Sequence, residues 1–337
     1  MPSSARLTDG VLVAVALAWG STYLATKELV PSASFAPVLV AARMAVAVAL
    51  LGVWLVLRRG RGRGTADELR GGVVLGLLLA AVFACETYGV AMTSATNAGV
   101  LISLTMILTP LAEGLVRRRA PGRAFLGAAA LAVAGAVLLA TEGHLVRPRP
   151  GDLLVLAAAV LRAGHVTTMG VLQDRRPLDV RRLTAVQLAT VAVVFAVLTA
   201  AVRAPVGAFV AQLGGGRWAV LAYLAVVCTV FGFAAQTWAI QRSSPSHVGL
   251  LLGTEPVWAA LVGLVVARDR IGPVGAVGIV VTLAAVSLAR RQPRVTVTRT
   301  VEPAGATGTA VPATSTPSTA SEATPWDTCE GLRTSMR

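Results

Sequence analysis

Ionisable side chains inside long apolar stretches are the first candidates for chemistry in this sequence. Arg43, Glu86, Arg162 and Glu255 each lie in such a stretch. A charge in hydrocarbon is costly, so each needs a partner or a wet cavity and is a candidate for a functional site. Pro256, directly after Glu255, has no amide hydrogen and disturbs the helical turn before it. The freed carbonyl groups can line a cavity or form a hinge.

The helical rise of about 1.5 Å per residue places these residues at shared depths. Arg43 and Glu86 lie about 9 to 10 Å from the outer ends of their spans, which predicts either an ion pair or a joint contribution to an outer cavity. Arg162 and Glu255 lie roughly 12 Å from the inner ends, which favours an inner site. A purely structural ion pair is the alternative in both cases. Glu255 is the strongest single candidate.

A histidine and several aromatic residues join the candidate site. His165 follows Arg162 by three residues on the same helical face and has the residue type that suits proton handling, although the arginine opposes its charging. The alternative is an ordinary polar residue. Aromatic faces can pack on an apolar or cationic substrate or simply fill helix contacts. The aromatic candidates within spans are Trp19, Tyr88, Trp238 and Trp258.

The sequence does not contain the residue patterns that catalysis, nucleotide binding by a Walker A loop, metal binding or nucleic-acid binding would require. No set of nucleophile, base and orienting group is visible, so we predict no catalytic residue and no enzyme. Lys27 is the only lysine, which excludes a Walker A loop. His144 and His247 look like loop and helix-end residues, and the three histidines show no metal-site spacing, so no metal or cofactor is predicted. The positive charge is interrupted by apolar spans, so no nucleic acid is expected as a partner.

The elements that must position these residues are membrane helices. The chain of 337 residues is 55% hydrophobic and only 14% charged, against about 25% charged in an ordinary soluble domain. A helix needs roughly 20 apolar residues to cross a bilayer. We predict ten transmembrane helices, in an all-α integral membrane fold, near residues 11–29, 36–57, 72–92, 97–116, 124–140, 152–170, 183–202, 218–240, 247–267 and 273–289.

The loops and the tail predict topology and location. Lys and Arg concentrate in the loops on the side of the amino terminus, so both termini should be cytoplasmic. An Arg-rich, almost Lys-free composition indicates a bacterial plasma membrane. Residues 293–337 are rich in Pro, Ser, Thr and Ala and predict a disordered cytoplasmic tail. Five glycines, which allow close helix approach, are predicted packing positions: Gly127, Gly135, Gly263, Gly275 and Gly278.

An internal repeat divides the chain into residues 1–145 and 146–292. A shift of 150 residues aligns several positions without a gap, among them Phe83 with Phe233, Thr87 with Thr237, Gly99 with Gly249 and Gly122 with Gly272. The same shift sets Glu86 against Gln236. Five helices per repeat is an odd number, so the second copy enters the membrane from the opposite side. The sequence therefore predicts two inverted five-helix repeats, an arrangement that recurs in secondary transporters.

Four motifs make the chain resemble the EamA-type family of the drug/metabolite transporter superfamily. They are Ala18-Trp19-Gly20-Ser21-Thr22, Ala42-Arg43, the segment Tyr88-Gly89-Val90-Ala91-Met92-Thr93-Ser94-Ala95, and Glu255-Pro256-Val257. Arg268-Asp269-Arg270 also fits the acidic residue that this family carries after its ninth helix, whereas Arg117-Arg118-Arg119-Ala120 has no acidic residue at the equivalent turn. The resemblance implies a ten-helix carrier with a central cavity, often an exporter of amino acids or other small metabolites.

The sequence therefore predicts a plasma-membrane secondary transporter that moves a small organic molecule by alternating access. Its expected partners are the lipid bilayer and a small-molecule substrate, with protons as the candidate coupling ion. The sequence leaves open whether the chain is a monomer or a homodimer. The alternative function is a polytopic membrane enzyme acting on a lipid-linked substrate, and a channel would require a ring of repeated polar groups along one pore.

Overall fold

The computed structural model describes residues 2–30, 32–57, 66–92, 101–141, 150–175, 178–267 and 271–290, and in these ranges the regular structure is entirely helical. We number ten helices: α1 Pro2–Leu29, α2 Ala36–Leu57, α3 Ala66–Met92, α4 Thr105–Arg117, α5 Arg123–Thr141, α6 Pro150–Arg175, α7 Val180–Ala201, α8 Gly215–Ile240, α9 Pro245–Val266 and α10 Pro273–Arg290. A 3-10 turn, Ala33–Phe35, precedes α2, and a short helix, Val206–Ala211, follows α7.

Seven of these helices, α1, α2, α3, α6, α7, α8 and α9, are long and apolar enough to cross a membrane. The predicted spans 124–140 and 273–289 coincide with α5 and α10, which are apolar but shorter. The predicted span 97–116 falls partly outside the described residues, and α4 covers its second part. Large apolar side chains such as Val193, Val197 and Val265 point outward, as expected of helices that face lipid. The chain is therefore a multi-pass membrane protein. The predicted tail, 293–337, lies outside the described residues.

The helices pack against distant partners as well as sequence neighbours. The α5 helix pairs with α10, α3 with both α6 and α7, and α2 with α7. The α1 helix packs along α8 and α9, and α4 packs against α6 and α9. The core between them is filled by residues such as Leu12, Met44, Leu75, Leu188 and Phe195. These five side chains come from α1, α2, α3 and α7 and belong to one hydrophobic core.

Small residues allow a close helix contact between α5 and α10. A Cβ atom on Gly135 would lie 2.7 Å from the backbone nitrogen of Thr282, and a Cβ atom on Gly278 would lie 2.5 Å from the backbone nitrogen of Leu139. Thr282 Oγ1 contacts the carbonyl oxygen of Ala132 at 3.2 Å. These contacts confirm the packing prediction for Gly135 and Gly278. The prediction is wrong for Gly127, where a Cβ atom would meet nothing within 4 Å.

Replacing Gly278 with valine is expected to destabilise the protein. The new side chain would overlap the backbone of α5, which has no low-energy way to move aside, and overpacking of this kind typically costs about 1–3 kcal/mol. The measurement is the thermal unfolding midpoint of the purified protein in detergent. Gly127→Val is the matched control because its side chain meets open space. Equal midpoints for the two variants would contradict the assigned α5–α10 contact.

Two helices depart from regular α geometry near their middles. In α8, the segment Leu224–Phe231 is π-helical between two α-helical halves, Gly215–Tyr223 and Gly232–Ile240. The α9 helix is interrupted between Pro245–Leu252 and Glu255–Val262. Pro256 explains the interruption because it has no amide hydrogen for the carbonyl of Leu252. Such irregular backbone often marks functional sites, since it changes where side chains and carbonyl groups point.

The start of α9 is tied to two other helices by contacts with carboxylate groups. Ser244 caps the helix, and the carboxylate of Glu113 in α4 accepts hydrogen bonds from the backbone nitrogen of Ser246, at 2.7 Å, and from its hydroxyl. His247 Nε2 lies 2.7 Å from Asp9 Oδ1 of α1. A carboxylate beside the first turn of a helix is stabilising because the orphan amides there carry partial positive charge.

A second contact extends this arrangement to α6. Arg117 Nε lies 2.9 Å from Glu113 Oε1, and its terminal nitrogen lies 2.7 Å from Asp174 Oδ2 of α6. We call the set formed by Asp9, His247, Glu113, Ser246, Arg117 and Asp174 the α9 latch. It joins α1, α4, α6 and α9 at one end of the protein.

The first turn of α7 carries its own cap. Asp179 accepts a hydrogen bond from the backbone nitrogen of Arg181 at 2.8 Å. The Arg181 side chain also donates to this carboxylate, at 3.2 and 3.0 Å, and these bonds hold the pKa of Asp179 below its ordinary value. The cap is therefore ionised at neutral pH, which suits the positive end of the helix dipole.

Candidate functional site

A buried ion pair joins α6 to α9. Arg162 Nη1 lies 3.1 Å from Glu255 Oε1 and donates to Glu255 Oε2 at 3.3 Å. The Glu255 side chain is only 3% exposed and that of Arg162 is 19% exposed. The structure thus brings together the two residues whose shared depth suggested a common site. Glu255 lies directly at the interruption of α9 and is the first residue of its second half, followed by Pro256.

Trp19 of α1 completes this pair with an aromatic face. The guanidinium carbon of Arg162 lies 4.9 Å from the centroid of the Trp19 ring, a geometry that stabilises the cation. Trp19 Nε1 donates to the carbonyl oxygen of Cys228 in α8 at 2.8 Å. Gly20 permits the close approach of α1 to α9, since a Cβ atom on residue 20 would lie 2.8 Å from the carbonyl oxygen of Glu255. The indole is therefore fixed at one edge and stacked on its face.

Arg43 of α2 contacts α8, and it does not form the predicted ion pair. Its Nε donates to Thr229 Oγ1 at 2.5 Å, and its guanidinium carbon lies 5.3 Å from the centroid of the Phe83 ring. Within the described residues, no ion pair joins Arg43 to Glu86. Glu86 is half-buried and lies within electrostatic range of both Arg43 and Glu255. The prediction of an ion pair between Arg43 and Glu86 is therefore wrong, because the π-helical turn presents the Thr229 hydroxyl to Arg43.

Three aromatic rings connect the two arginines. The Trp19 and Phe233 rings are 5.2 Å apart, and the Phe83 and Phe233 rings are 6.0 Å apart in an edge-on arrangement. Arg43 lies over one end of this series and Arg162 over the other. The result is a continuous layer of two cations and three aromatic rings across five helices.

The remaining predicted site residues lie in different surroundings. His165 is buried and pairs with Gln187 of α7, at 3.3 Å from its Nε2 to Oε1. Trp258 Nε1 donates to Thr254 Oγ1 at 3.1 Å, across the interruption of α9. Trp238 lies in the last turn of α8 under the guanidinium of Arg242, 4.3 Å from its ring centroid, so it is an end-of-helix residue. Tyr88 is half-buried near the end of α3.

The sequence matches one family over both halves of the chain. Residues 7–141 and again 149–291 match the sequence profile of the EamA-like transporter family. The chain belongs to this family. The family resemblance of the four motifs is thereby confirmed, and the family points to a transporter rather than an enzyme.

The chain is also similar to two other proteins. A protein of Archaeoglobus fulgidus named an uncharacterized transporter is 24% identical over 251 residues, which is 73% of this chain and 84% of the relative. A solved crystal structure superposes with a TM-score of 0.68 at 20% sequence identity, covering 85% of this chain and 96% of the other. At that identity the second likeness concerns the fold alone.

Four residues of the candidate site were not among the sequence candidates: Phe83, Cys228, Thr229 and Phe233. The two phenylalanines had a signal, because they align with each other in the internal repeat. Cys228 and Thr229 had none, because they reach the site through the π-helical turn of α8. The π-helical geometry of this turn depends on how α8 packs against α1 and α2.

The arrangement is suited to binding rather than to covalent chemistry. It offers guanidinium groups, carboxylates and aromatic faces, which recognise charged and apolar parts of a small molecule. In the part of the chain that the structure describes, no group of three or more His, Cys, Asp or Glu residues could hold a metal ion. Counting Arg43, Glu86, Arg162 and Glu255 as ionised, the site has two positive and two negative charges.

Proposed function

We propose that this EamA-like transporter is a secondary carrier that exports small organic metabolites, amino acids or related compounds, across a bacterial plasma membrane. The observation that carries the proposal is the buried Arg162–Glu255 pair beside Trp19, at the interruption of α9. A charged pair inside a membrane protein is costly and is retained mainly where it serves a pathway or a ligand. Substrate binds there, between the two halves of the chain.

An inverted repeat of two five-helix units, residues 1–145 and 146–292, is the architecture we propose for alternating access. Each helix of one half can be exchanged for its counterpart in the other half, α1 with α6, α2 with α7 and so on to α5 with α10. This exchange converts the α3–α6 pairing into the α8–α1 pairing, and the α1–α9 pairing into the α6–α4 pairing. The pairings α2–α7, α4–α9 and α5–α10 are converted into themselves. The two separate family matches also support this division. Such a two-fold relation gives two similar gates around one site.

Charged residues support both the orientation of the chain in the membrane and the choice of coupling ion. The Lys and Arg bias of the loops supports cytoplasmic termini. We propose protons as the coupling ion, because Glu255 is a buried carboxyl group whose partner, Arg162, a substrate can also engage. His165 is the second candidate for proton handling, through its contact with Gln187. Trp19 and Trp258 supply aromatic surface to the substrate.

Radiolabelled uptake into inside-out vesicles tests the proposal. A pooled panel of amino acids and toxic amines is offered with and without an imposed pH gradient, to the natural chain and to Glu255→Gln. We expect gradient-dependent accumulation that falls to the level of vesicles without the protein in the variant. Gly127→Ala, at an exposed position with open space around it, is the control and should transport normally. Accumulation that Glu255→Gln leaves unchanged would remove Glu255 from the site, and no accumulation of any compound would contradict the carrier proposal.

A further inference from the structure

Arg43 has an unusual set of contacts for a buried cation. The residue is 6% exposed, and its Nε donates to Thr229 Oγ1 while its guanidinium lies over the Phe83 ring. Among the described residues, none accepts a hydrogen bond from its two terminal nitrogens, and no carboxylate lies within ion-pair distance. A buried guanidinium normally has its planar fork filled by an anion. The free side of the fork is therefore a candidate anion site.

Thr229 holds Arg43 in one orientation. The Thr229 hydroxyl donates to the carbonyl oxygen of Leu224, five residues earlier, at 2.8 Å. A hydroxyl has a single hydrogen to donate, so its lone pairs are left to accept from Arg43 Nε. This bond to the carbonyl five residues back belongs to the π-helical turn Leu224–Phe231. The turn thereby fixes the edge of the guanidinium, and the Phe83 ring fixes its face.

The same turn also fixes Trp19, on the other side of the aromatic layer. The carbonyl oxygen of Cys228 accepts from Trp19 Nε1 at 2.8 Å, and Cys228 Sγ donates to the carbonyl oxygen of Ala18 at 3.2 Å. Cys228 and Thr229 are adjacent in sequence. One irregular turn of α8 consequently positions a site residue of α1 and a site residue of α2.

Glu86 supplies a complementary charge near the Arg43 fork. It follows Phe83 by three residues on α3, so it lies on the face that carries the ring under Arg43. Within the described residues it forms no ion pair, although its charge acts on Arg43. Arg162 and Glu255 already neutralise one another. The two charges left to a ligand are one cation and one carboxylate, which disfavours a dianion such as phosphate.

We propose that the terminal nitrogens of Arg43 bind the carboxylate of the transported substrate and that Thr229 is the positioning residue that aims them. This inference rests on the proposed function and narrows it to substrates that carry a carboxylate. Glu86 faces the cationic end of a zwitterionic substrate. Arg43 and Glu86 therefore bind opposite ends of the same substrate molecule, which explains why they are close without pairing.

Binding to the purified full-length protein tests the proposal. The probes are the common amino acids, each measured beside its carboxamide analogue, and inorganic phosphate, with thermal stabilisation in detergent as the readout. We expect at least one amino acid to stabilise the protein and its carboxamide and phosphate to have no effect. The proposal would be overturned if a carboxamide stabilised the protein as much as its acid. It would also be overturned if none of the amino acids stabilised the protein.

Thr229→Val and Thr229→Ser separate positioning from folding. Valine keeps the shape and removes the hydroxyl, so the apparent affinity for the active amino acid should fall about tenfold, the loss of one hydrogen bond to a charged group. Serine keeps the hydroxyl and should bind like the natural chain. In an Arg43→Met background, the Thr229→Val exchange should change the affinity no further. An unchanged affinity for Thr229→Val, or equal losses for valine and serine, would show that Thr229 does not aim Arg43.

Transport distinguishes a failure of this inference from a failure of the proposed function. Arg43→Met should abolish uptake of the active amino acid into inside-out vesicles. Uptake that is lost in Glu255→Gln and intact in Arg43→Met would overturn the carboxylate assignment and leave the carrier proposal standing. Absence of uptake in the natural chain would overturn both.

Discussion

Replacing Arg162 alone with methionine is expected to destabilise this transporter far more than replacing Arg162 and Glu255 together. Glu255 is 3% exposed, and without Arg162 its carboxylate would be buried without its ion-pair partner. Breaking a buried pair by removing one partner costs about 3–5 kcal/mol, whereas replacing both partners by neutral groups of similar size is often close to neutral. Thermal unfolding in detergent of Arg162→Met, Glu255→Gln and the double variant measures the difference.

The double variant also separates a structural role from a functional one. If the pair serves the substrate, the double variant is as stable as the natural chain and does not transport. Glu28→Gln, on an exposed position of α1, is the control for the loss of one carboxylate and should change neither property. A double variant that transports normally would make the pair purely structural. A double variant as unstable as Arg162→Met would show that the loss of the Trp19 stacking partner, rather than the unpaired charge, causes the damage.

Glu113→Ala is expected to open the end of the protein that the α9 latch closes. The carboxylate accepts both hydrogen bonds from Ser246 and pairs with Arg117, so the exchange leaves the first turn of α9 without its anion. A hydrogen bond to a charged group contributes about 1.5–3 kcal/mol, enough to raise the population of an opened end about tenfold or more.

Thiol labelling measures this opening. Thr109 lies in α4 one turn below Glu113, is 1% exposed and contacts α9 at Gly249. A Thr109→Cys exchange in a chain without Cys85 and Cys329 should react slowly with a membrane-impermeant thiol reagent, and about tenfold faster once Glu113→Ala is added. Glu28→Ala is the matched control and should leave the rate unchanged. An equal rate with and without Glu113 would mean that the latch contributes nothing to closure.

The position of a residue along its helix could be predicted from the sequence, whereas the side chain that it contacts could be predicted for only one of the two pairs. Fixed helical rise placed Arg162 and Glu255 at one depth, and the structure forms that pair. The same argument placed Arg43 level with Glu86, yet Arg43 bonds to Thr229. Position along a helix follows from counting residues, whereas the neighbour that a side chain meets depends on helix rotation and crossing. Those are decided by many weak packing contacts at once.

The sequence by itself determined that this is an EamA-like membrane transporter, because apolar length, charge placement and local motifs are properties of consecutive residues. It also located Glu255-Pro256 as an irregular, charged point of α9. Only the tertiary structure decided that Trp19 stacks on Arg162, that His247 meets Asp9, and that Gly127 faces open space while Gly278 packs. Each of these joins residues more than a hundred positions apart or depends on which face of a helix meets a neighbour. Contacts of that kind exist only after the helices have packed.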